Sequence, residues 1–408
     1  MAFKYKGLRL KDPSLMKRLR RVPNIKFTRA SVAYDKYGNS VPVDTPRFGI
    51  AGGPNDGVLI EEAHTNLLTA NQSTGTDTLG DTTGFEGVRK SETITSSTEQ
   101  SHTGTKSLKC VTPGLLTQEG IITSPISGLS KGVVYIFSAW VYAPNGADMY
   151  WFMGDGGDNN VIQPFTGTGA WQRVEYPFTP DGSPNHYVSI RTNAKQAITF
   201  YVDTLQLTAG YPLSWTLGGT TMAAETLTVN SSVYDLTSGT IELEALANDI
   251  IKTDGINNYL LSTADGDGNN QISLLDDSSN NLTITTKASD AATSVSYADS
   301  NLTSNTMFKV AAPYKSDKLK LFKDGTSVGT PLTSANLPTT KQTIYLGSKY
   351  DGTLQANTLI RNVVLTKQDR VDGEITNRSY RDGFGVDKEV TLIAPLKNNL
   401  NAYRVATV

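Results

Sequence analysis

Short runs in which apolar and polar residues alternate, bounded by turn residues, dominate the chain. Between residues 66 and 217 turn signals recur every 8–12 residues, among them Asn71-Gln-Ser-Thr-Gly75, Pro144-Asn-Gly146, Thr166-Gly-Thr-Gly169 and Pro180-Asp-Gly182. That spacing predicts the short strands of a β-sandwich. Within it, Val134–Tyr142 carries Tyr135, Phe137, Ala139 and Val141 on one face and Ile136, Ser138, Trp140 and Tyr142 on the other. Both faces are apolar enough for an interior strand. A second series opens at Ser238-Gly-Thr-Ile-Glu-Leu-Glu-Ala245, where Ile241 and Leu243 alternate with Glu242 and Glu244, read as a solvated face. Asp324-Gly325 directly follows the run Lys318–Lys323 and predicts a tight hairpin. One helix signal stands apart: Asp12-Pro13-Ser14 followed by Leu15, Met16, Leu19 and Val22 on one stripe, closed by Pro23. The pattern is all-β, with two β-sandwich (jelly-roll) domains in tandem after a short basic N-terminal helical arm.

Composition supports this class. The chain has 408 residues, 38% hydrophobic and 19% charged, with 36 Gly and only 6 Met. More than one core is expected at that length. No apolar run approaches the roughly 20 residues of a membrane helix, so no membrane insertion is expected. The N-terminus lacks the apolar stretch of a secretory signal. Cys110 is the only cysteine and lies in the alternating run Ser107–Val111, which points to a buried thiol.

Charge changes the picture. Ten basic residues stand against Asp12 in positions 1–30, so with an overall net charge of −2 the remainder carries −11. The helix of the arm surrounds its apolar stripe with Lys17, Arg18, Arg20 and Arg21. Lys17, Arg18, Leu19, Arg20 and Arg21 are therefore the candidate docking residues, with another protein as the expected partner. No nucleic-acid-binding module follows, and nucleic acid is not expected as a partner.

Three ordered blocks carry a resemblance. Phe27-Thr-Arg-Ala-Ser31, Pro46-Arg-Phe48 and Gly57-Val-Leu-Ile-Glu-Glu-Ala-His-Thr-Asn-Leu-Leu68 resemble the segment that precedes carbohydrate-binding-like β-domains in tailed-phage virion proteins. Downstream, Gly104–Leu108, Tyr135–Trp140, Ala170–Val174 and Phe200–Leu207 resemble carbohydrate-binding modules with a jelly-roll fold. Gly239-Thr-Ile-Glu242, Leu319–Thr326, Tyr345–Ser348 and Leu359–Leu365 resemble a concanavalin-A-like, laminin-G-like sandwich, with Asp324 where the family's hairpin carries Asn. The expected organisation is a virion-docking arm (1–26), an extended junction (27–65), a carbohydrate-binding-module-like sandwich (66–217), a linker (218–237), a concanavalin-A/laminin-G-like sandwich (238–375) and a C-terminal packing segment (376–408).

The resemblance implies a particle surface, assembled in the bacterial host cytoplasm, with other virion proteins and host cell-surface polysaccharide as partners and a homo-oligomer, a trimer favoured. Sugars need aromatic faces together with side chains that fix hydroxyls. Trp151, Tyr150, Asp155, Asn160, Gln163, Trp140 and Arg191 are the candidates. Asp265, Asp267, Asn269 and Asp276 superficially match a calcium loop, but Asn270 occupies its required Gly position, so no cofactor is expected and Ca²⁺ stays a weak candidate. The three His, at 64, 102 and 186, fit no catalytic or zinc spacing, so no enzyme is expected. The expected function is a tail-fibre or baseplate-type adhesin. A capsid decoration or head-fibre protein with a purely structural role is the alternative, and a surface-polysaccharide depolymerase the second.

Overall fold

A computed structural model describes residues 25–35, 38–49, 57–73, 82–155, 160–210, 213–231, 235–247, 256–298, 302–303, 306–340, 343–367, 369 and 375, and the backbone of 390–395 and 403–407. The arm residues Lys17, Arg18, Leu19, Arg20 and Arg21 lie outside the described residues. The fold is nearly all-β, and among the described residues the one helix seen along its length is the short Ala70–Ser73. The chain divides into two units, and they are not consecutive in sequence. One gathers 29–54 and 63–224; the other gathers the described residues up to Thr28, those of 55–62 and those from Glu225 onward.

The first unit is a sandwich of two antiparallel sheets. One sheet orders Trp171–Phe178, Tyr135–Tyr142, Thr199–Ala209, Ser107–Val111 and Thr93–Ser97. The other orders Asn160–Thr166, Asp148–Gly154, Asn185–Thr192, Gly120–Thr123 and Phe85–Gly87, with Ile126–Ser127 also on Asn185–Thr192. Period-two alternation sends Phe137, Ala139 and Val141 inward from the first sheet and Met149, Trp151 and Met153 inward from the second. They meet in one core, where each large apolar side chain contributes about 1.5–3 kcal/mol. Tyr135–Tyr142 has partners on both sides and is the interior strand that the sequence predicts.

The second unit is also a sandwich. Its first sheet orders Lys26–Thr28, Thr226–Val229, Ile344–Leu346, Asn258–Ala264, Gln271–Asp276, Asn281–Ala288 and Ala291–Ala298. Register aligns Leu227, Leu346, Leu261, Leu274, Ile284 and Val295 into one apolar row across those strands. Its second sheet runs Thr326–Leu332, Lys318–Lys323, Thr306–Lys315, Ser238–Ala247, Thr358–Thr366, Val390–Pro395 and Tyr403–Thr407. The hairpin expected at Asp324-Gly325 forms, with positive φ at both residues (48° and 81°). Glu242 and Glu244 do not form a solvated face. Glu242 is buried, and Glu244 is half-buried and accepts from Arg361 Nε at 2.7 Å.

The segment 27–65 is not an extended connector along its length. Val58, Leu59 and Ile60 are buried and pair with Ile360, Leu359 and Thr358, while Lys26–Thr28 pairs with Thr226–Val229. Three consecutive apolar residues suit a strand covered on both faces, and a sheet edge supplies the missing hydrogen bonds. The span 218–237 likewise holds strands, Thr221–Met222 on His64–Thr65 and the Thr226–Val229 strand just described. Arg29 is buried at 1% exposure and knots its own loop. Its guanidinium donates to the carbonyls of Ser31, Thr45, Val41 and Pro42, and its backbone N–H donates to Asp44 Oδ1. Five fixed donors match a cluster of carbonyls well, so this arginine organises a loop.

Candidate functional site

The outer face of the sheet containing Tyr135–Tyr142 carries an aromatic row set by register. Trp171 stands opposite Tyr142, Tyr142 opposite Tyr201, Tyr201 opposite Lys109 and Lys109 opposite Thr95. Five strands thus present one residue each along a line perpendicular to their direction. At about 4.8 Å between strands, the three aromatic positions span about 10 Å. The rings meet edge to face, with centroids 5.9 Å apart for Tyr142–Trp171 and 5.9 Å for Tyr142–Tyr201. Two residues along the same strands lies Trp140, flanked by Arg173 and Asp203.

His102 completes this face. Its imidazole stacks on Trp140 at 3.9 Å and 13°, and it meets Trp171 edge-on at 5.8 Å. A bulge in Thr199–Ala209 makes the placement. The register shifts opposite Ala139, where Thr204 adopts φ 48°, and Asp203 is fully buried. Its carboxylate accepts the backbone N–H of His102 and Thr103, each at 2.9 Å, and so pins the loop that carries the imidazole. Burial, reinforced by the Arg173 charge, lowers the His102 pKa to about 4, so the ring is neutral at neutral pH.

Polar groups rim the rings. Tyr201 Oη donates to Glu99 Oε2 at 2.6 Å and Lys109 Nζ donates to Glu99 Oε1 at 2.5 Å. These two hydrogen bonds, Lys109's first, lower the Glu99 pKa; burial, then the bond to Glu99, raises the Tyr201 phenol to about 12. Arg173 donates to Glu175 Oε2 at 2.8 Å and to the Leu213 carbonyl at 3.1 Å. Aromatic faces and edges beside fixed hydrogen-bonding groups are what a sugar ring's C–H surface and hydroxyls require.

The seven sequence candidates do not converge. Trp151 is fully buried in the core against Phe137 and Tyr176, and no face of it reaches a ligand. Tyr150 and Arg191 lie on the outer side of the other sheet, where the rings of Tyr150 and Phe152 are buried beneath the Arg191 guanidinium. Asn160 and Gln163 are exposed on that sheet's edge strand, and Asp155 accepts from the Ser183 hydroxyl at 2.7 Å. Trp140 alone stands among the aromatic row. Sequence reasoning passed over Trp171, Tyr201 and His102. The signal was there in part, since Trp171 alternates with Arg173 and Glu175 on a polar face, but their alignment depends on cross-strand register.

The calcium candidates separate as well. Asp265 accepts from Asn270 N and Nδ2, and Asp267 accepts from Asn269 N and Nδ2, which closes a self-satisfied turn. Asp276 pairs with Asn258 at the far end of the Gln271–Asp276 strand, on the order of 15 Å away. Among the described residues no cluster of three His, Cys, Asp or Glu could hold a metal ion.

Comparison with known proteins agrees with this architecture. Residues 70–197 match the family described as carbohydrate binding domain, and residues 228–376 match the concanavalin A-like lectin/glucanases superfamily. The chain therefore carries a carbohydrate-binding-module-like jelly roll and a concanavalin-A-like, laminin-G-like sandwich in tandem. No curated protein matches the sequence. Among solved structures, the receptor-binding domain of botulinum neurotoxin mosaic serotype C/D is 13% identical, with a TM-score of 0.31 over 38% of this chain and 39% of that one. This chain thus spans about two fifths of that protein's length. The CBM22-1 xylan-binding domain of Paenibacillus barcinonensis Xyn10C is 17% identical, with a TM-score of 0.29 over 36% of this chain and 97% of that one. The CBM40 domain of the Ruminococcus gnavus IT-sialidase is 15% identical, with a TM-score of 0.29 over 36% and 84%.

Proposed function

We propose that this protein is a non-enzymatic, glycan-binding component of a tailed-phage particle, a tail-fibre or baseplate-type adhesin. The observation that carries glycan binding is the row Trp171, Tyr142, Tyr201 and Lys109, aligned across one sheet and extended by Trp140 and His102. A polysaccharide lies across the strands along this row. Its C–H faces meet Trp171 and Tyr142, which Tyr201, itself buried, supports from the side, and its hydroxyls meet Glu99, Lys109 and Arg173. The carboxylates beside the rings support binding rather than cleavage, since Glu99 and Glu175 pair with cations and Asp203 is held by backbone N–H groups. Binding here needs no metal, and chelation with EDTA is expected to leave it unchanged. The sequence blocks at 27–68 and the basic arm support attachment to a particle assembled in the host cytoplasm. Trimeric copies on its surface multiply weak sugar contacts into firm attachment.

Two measurements test the reading. On a glycan array probed with avid multimers, Trp171→Ala combined with Tyr142→Ala is expected to lower binding at least tenfold. No binding by the wild type, or undiminished binding by the variant, sinks the glycan role. Deleting residues 1–24, which leaves the strand Lys26–Thr28 whole, is expected to abolish incorporation into particles while both sandwiches still unfold cooperatively. Normal incorporation of the truncated protein would refute the docking arm.

A further inference from the structure

The opposite outer face of the jelly roll holds a different arrangement, built around a cation. Arg191 is half-buried, yet it forms no ion pair among the described residues. Its guanidinium lies over the Phe152 ring at 4.4 Å and the Tyr150 ring at 5.9 Å. Nε donates to Ser189 Oγ at 2.6 Å, and the Tyr150 hydroxyl is a further hydrogen-bonding partner. Register explains the assembly, since Tyr150 stands opposite Arg191 and Phe152 opposite Ser189 on adjacent strands. On the other flank Arg191 faces Gly120, which has no side chain to cover it.

A second arginine adds to the site. Arg89 is exposed, and its guanidinium is oriented by the Thr117 carbonyl at 3.3 Å and by Gln118 Oε1 at 2.5 Å. It is near enough to disfavour the charge on Arg191, whose pKa is lowered first of all by burial. The neighbouring carboxylate, Glu92, is turned to the backbone instead. It accepts the N–H groups of Arg89, Ser91 and Gly120 at 2.7–3.1 Å. Burial still lowers the Arg191 pKa although the Tyr150 hydroxyl and Glu92 favour its charge, and ring contacts offset only part of the cost of desolvating a cation that has no direct carboxylate contact. An incoming oxyanion would relieve both that cost and the repulsion between the two arginines, and a guanidinium is shaped to take one through two hydrogen bonds.

We propose that Arg191 and Arg89 form a second binding site, for an oxyanion carried on a glycan, on the face opposite the aromatic row. Two sources share that chemistry: the carboxylate of a sugar acid and the phosphate of a phosphodiester-linked polyol polymer. The site acts independently of the aromatic row, so it stands or falls separately from the function proposed above.

Calorimetric titration of the full chain at low salt tests it, with oligogalacturonate, poly(glycerol phosphate) and a neutral gluco-oligosaccharide as ligands. One or both anionic polymers are expected to bind, and the stronger one identifies the source. Arg191→Met is expected to weaken that binding at least tenfold without changing the neutral ligand. Trp171→Ala is expected to do the reverse. Should Arg191→Met fail to unfold cooperatively, the exposed Arg89→Met replaces it, with a loss of threefold or more expected. The proposal is overturned if neither anionic polymer binds. It is equally overturned if the anion binds a folded arginine variant as tightly as the wild type.

Discussion

His102 carries a cost at the level of a single residue. Packed between Trp140 and Trp171 and facing Arg173, it stays neutral until about pH 4, whereas an unfolded chain protonates it near 6.5. Between those values the unfolded state binds the extra proton. Its contribution to stability is therefore complete above pH 6.5 and declines as pH falls from 6.5 to 4. Urea unfolding of His102→Phe, which keeps the stack but removes the titrating group, is expected to show a flatter pH dependence over that window. An unchanged slope would assign the effect elsewhere. Cys110 illustrates the opposite case of a residue with no chemistry to perform. It is fully buried, and burial raises its thiol well above the ordinary cysteine range, so it serves as core packing.

Among the elements, the strand Val58–Ile60 gains its place through one glycine. Gly347 adopts φ +73°, and a Cβ there would stand 2.8 Å from Ile60 Cβ. Backbone strain and overpacking act together at this position. Gly347→Ala is expected to destabilise the concanavalin-A-like unit by about 2–4 kcal/mol in equilibrium unfolding. Little change would mean that Val58–Ile60 does not pack as described. The three residues read as an apolar run in the sequence, yet their partner strand lies almost 300 positions later. No local pattern could name it, because strand pairing at that separation is decided by which edge lacks hydrogen bonds. The aromatic row has the same character. Trp140 and Tyr142 were visible as one face of one strand, but Trp171 and Tyr201 join them only through register, which the bulge at Thr204 helps to set.

For the whole molecule, the two units are interleaved in sequence rather than consecutive. The chain enters the concanavalin-A-like unit at Lys26–Thr28, leaves it, returns for Val58–Ile60 and enters again at Glu225. A fragment limited to 225–408 keeps every later strand of the unit but omits both of those early strands and leaves the edges they cover unpaired. Such a fragment is expected to melt at a lower temperature and to aggregate more readily than the same unit in the intact protein. Scanning calorimetry beside light scattering makes that comparison, and equal stability would show the early strands to be dispensable.

By itself the sequence determined the all-β class, the existence of two sandwiches, the interior strand Tyr135–Tyr142 and the hairpin at Asp324-Gly325. Those features follow from period-two alternation and turn chemistry, which are local. It also singled out residues 27–68, although not what they do. Tertiary structure decided which aromatics become surface and which become core. Trp151 and Trp140 look alike in sequence, but strand parity buries one and presents the other. Tertiary structure also decided that the segment 27–65 supplies strands to the second sandwich, and that Arg29 spends its charge on its own loop. Register, edge pairing and burial are properties of strands brought together from distant positions, and no window along the chain contains them.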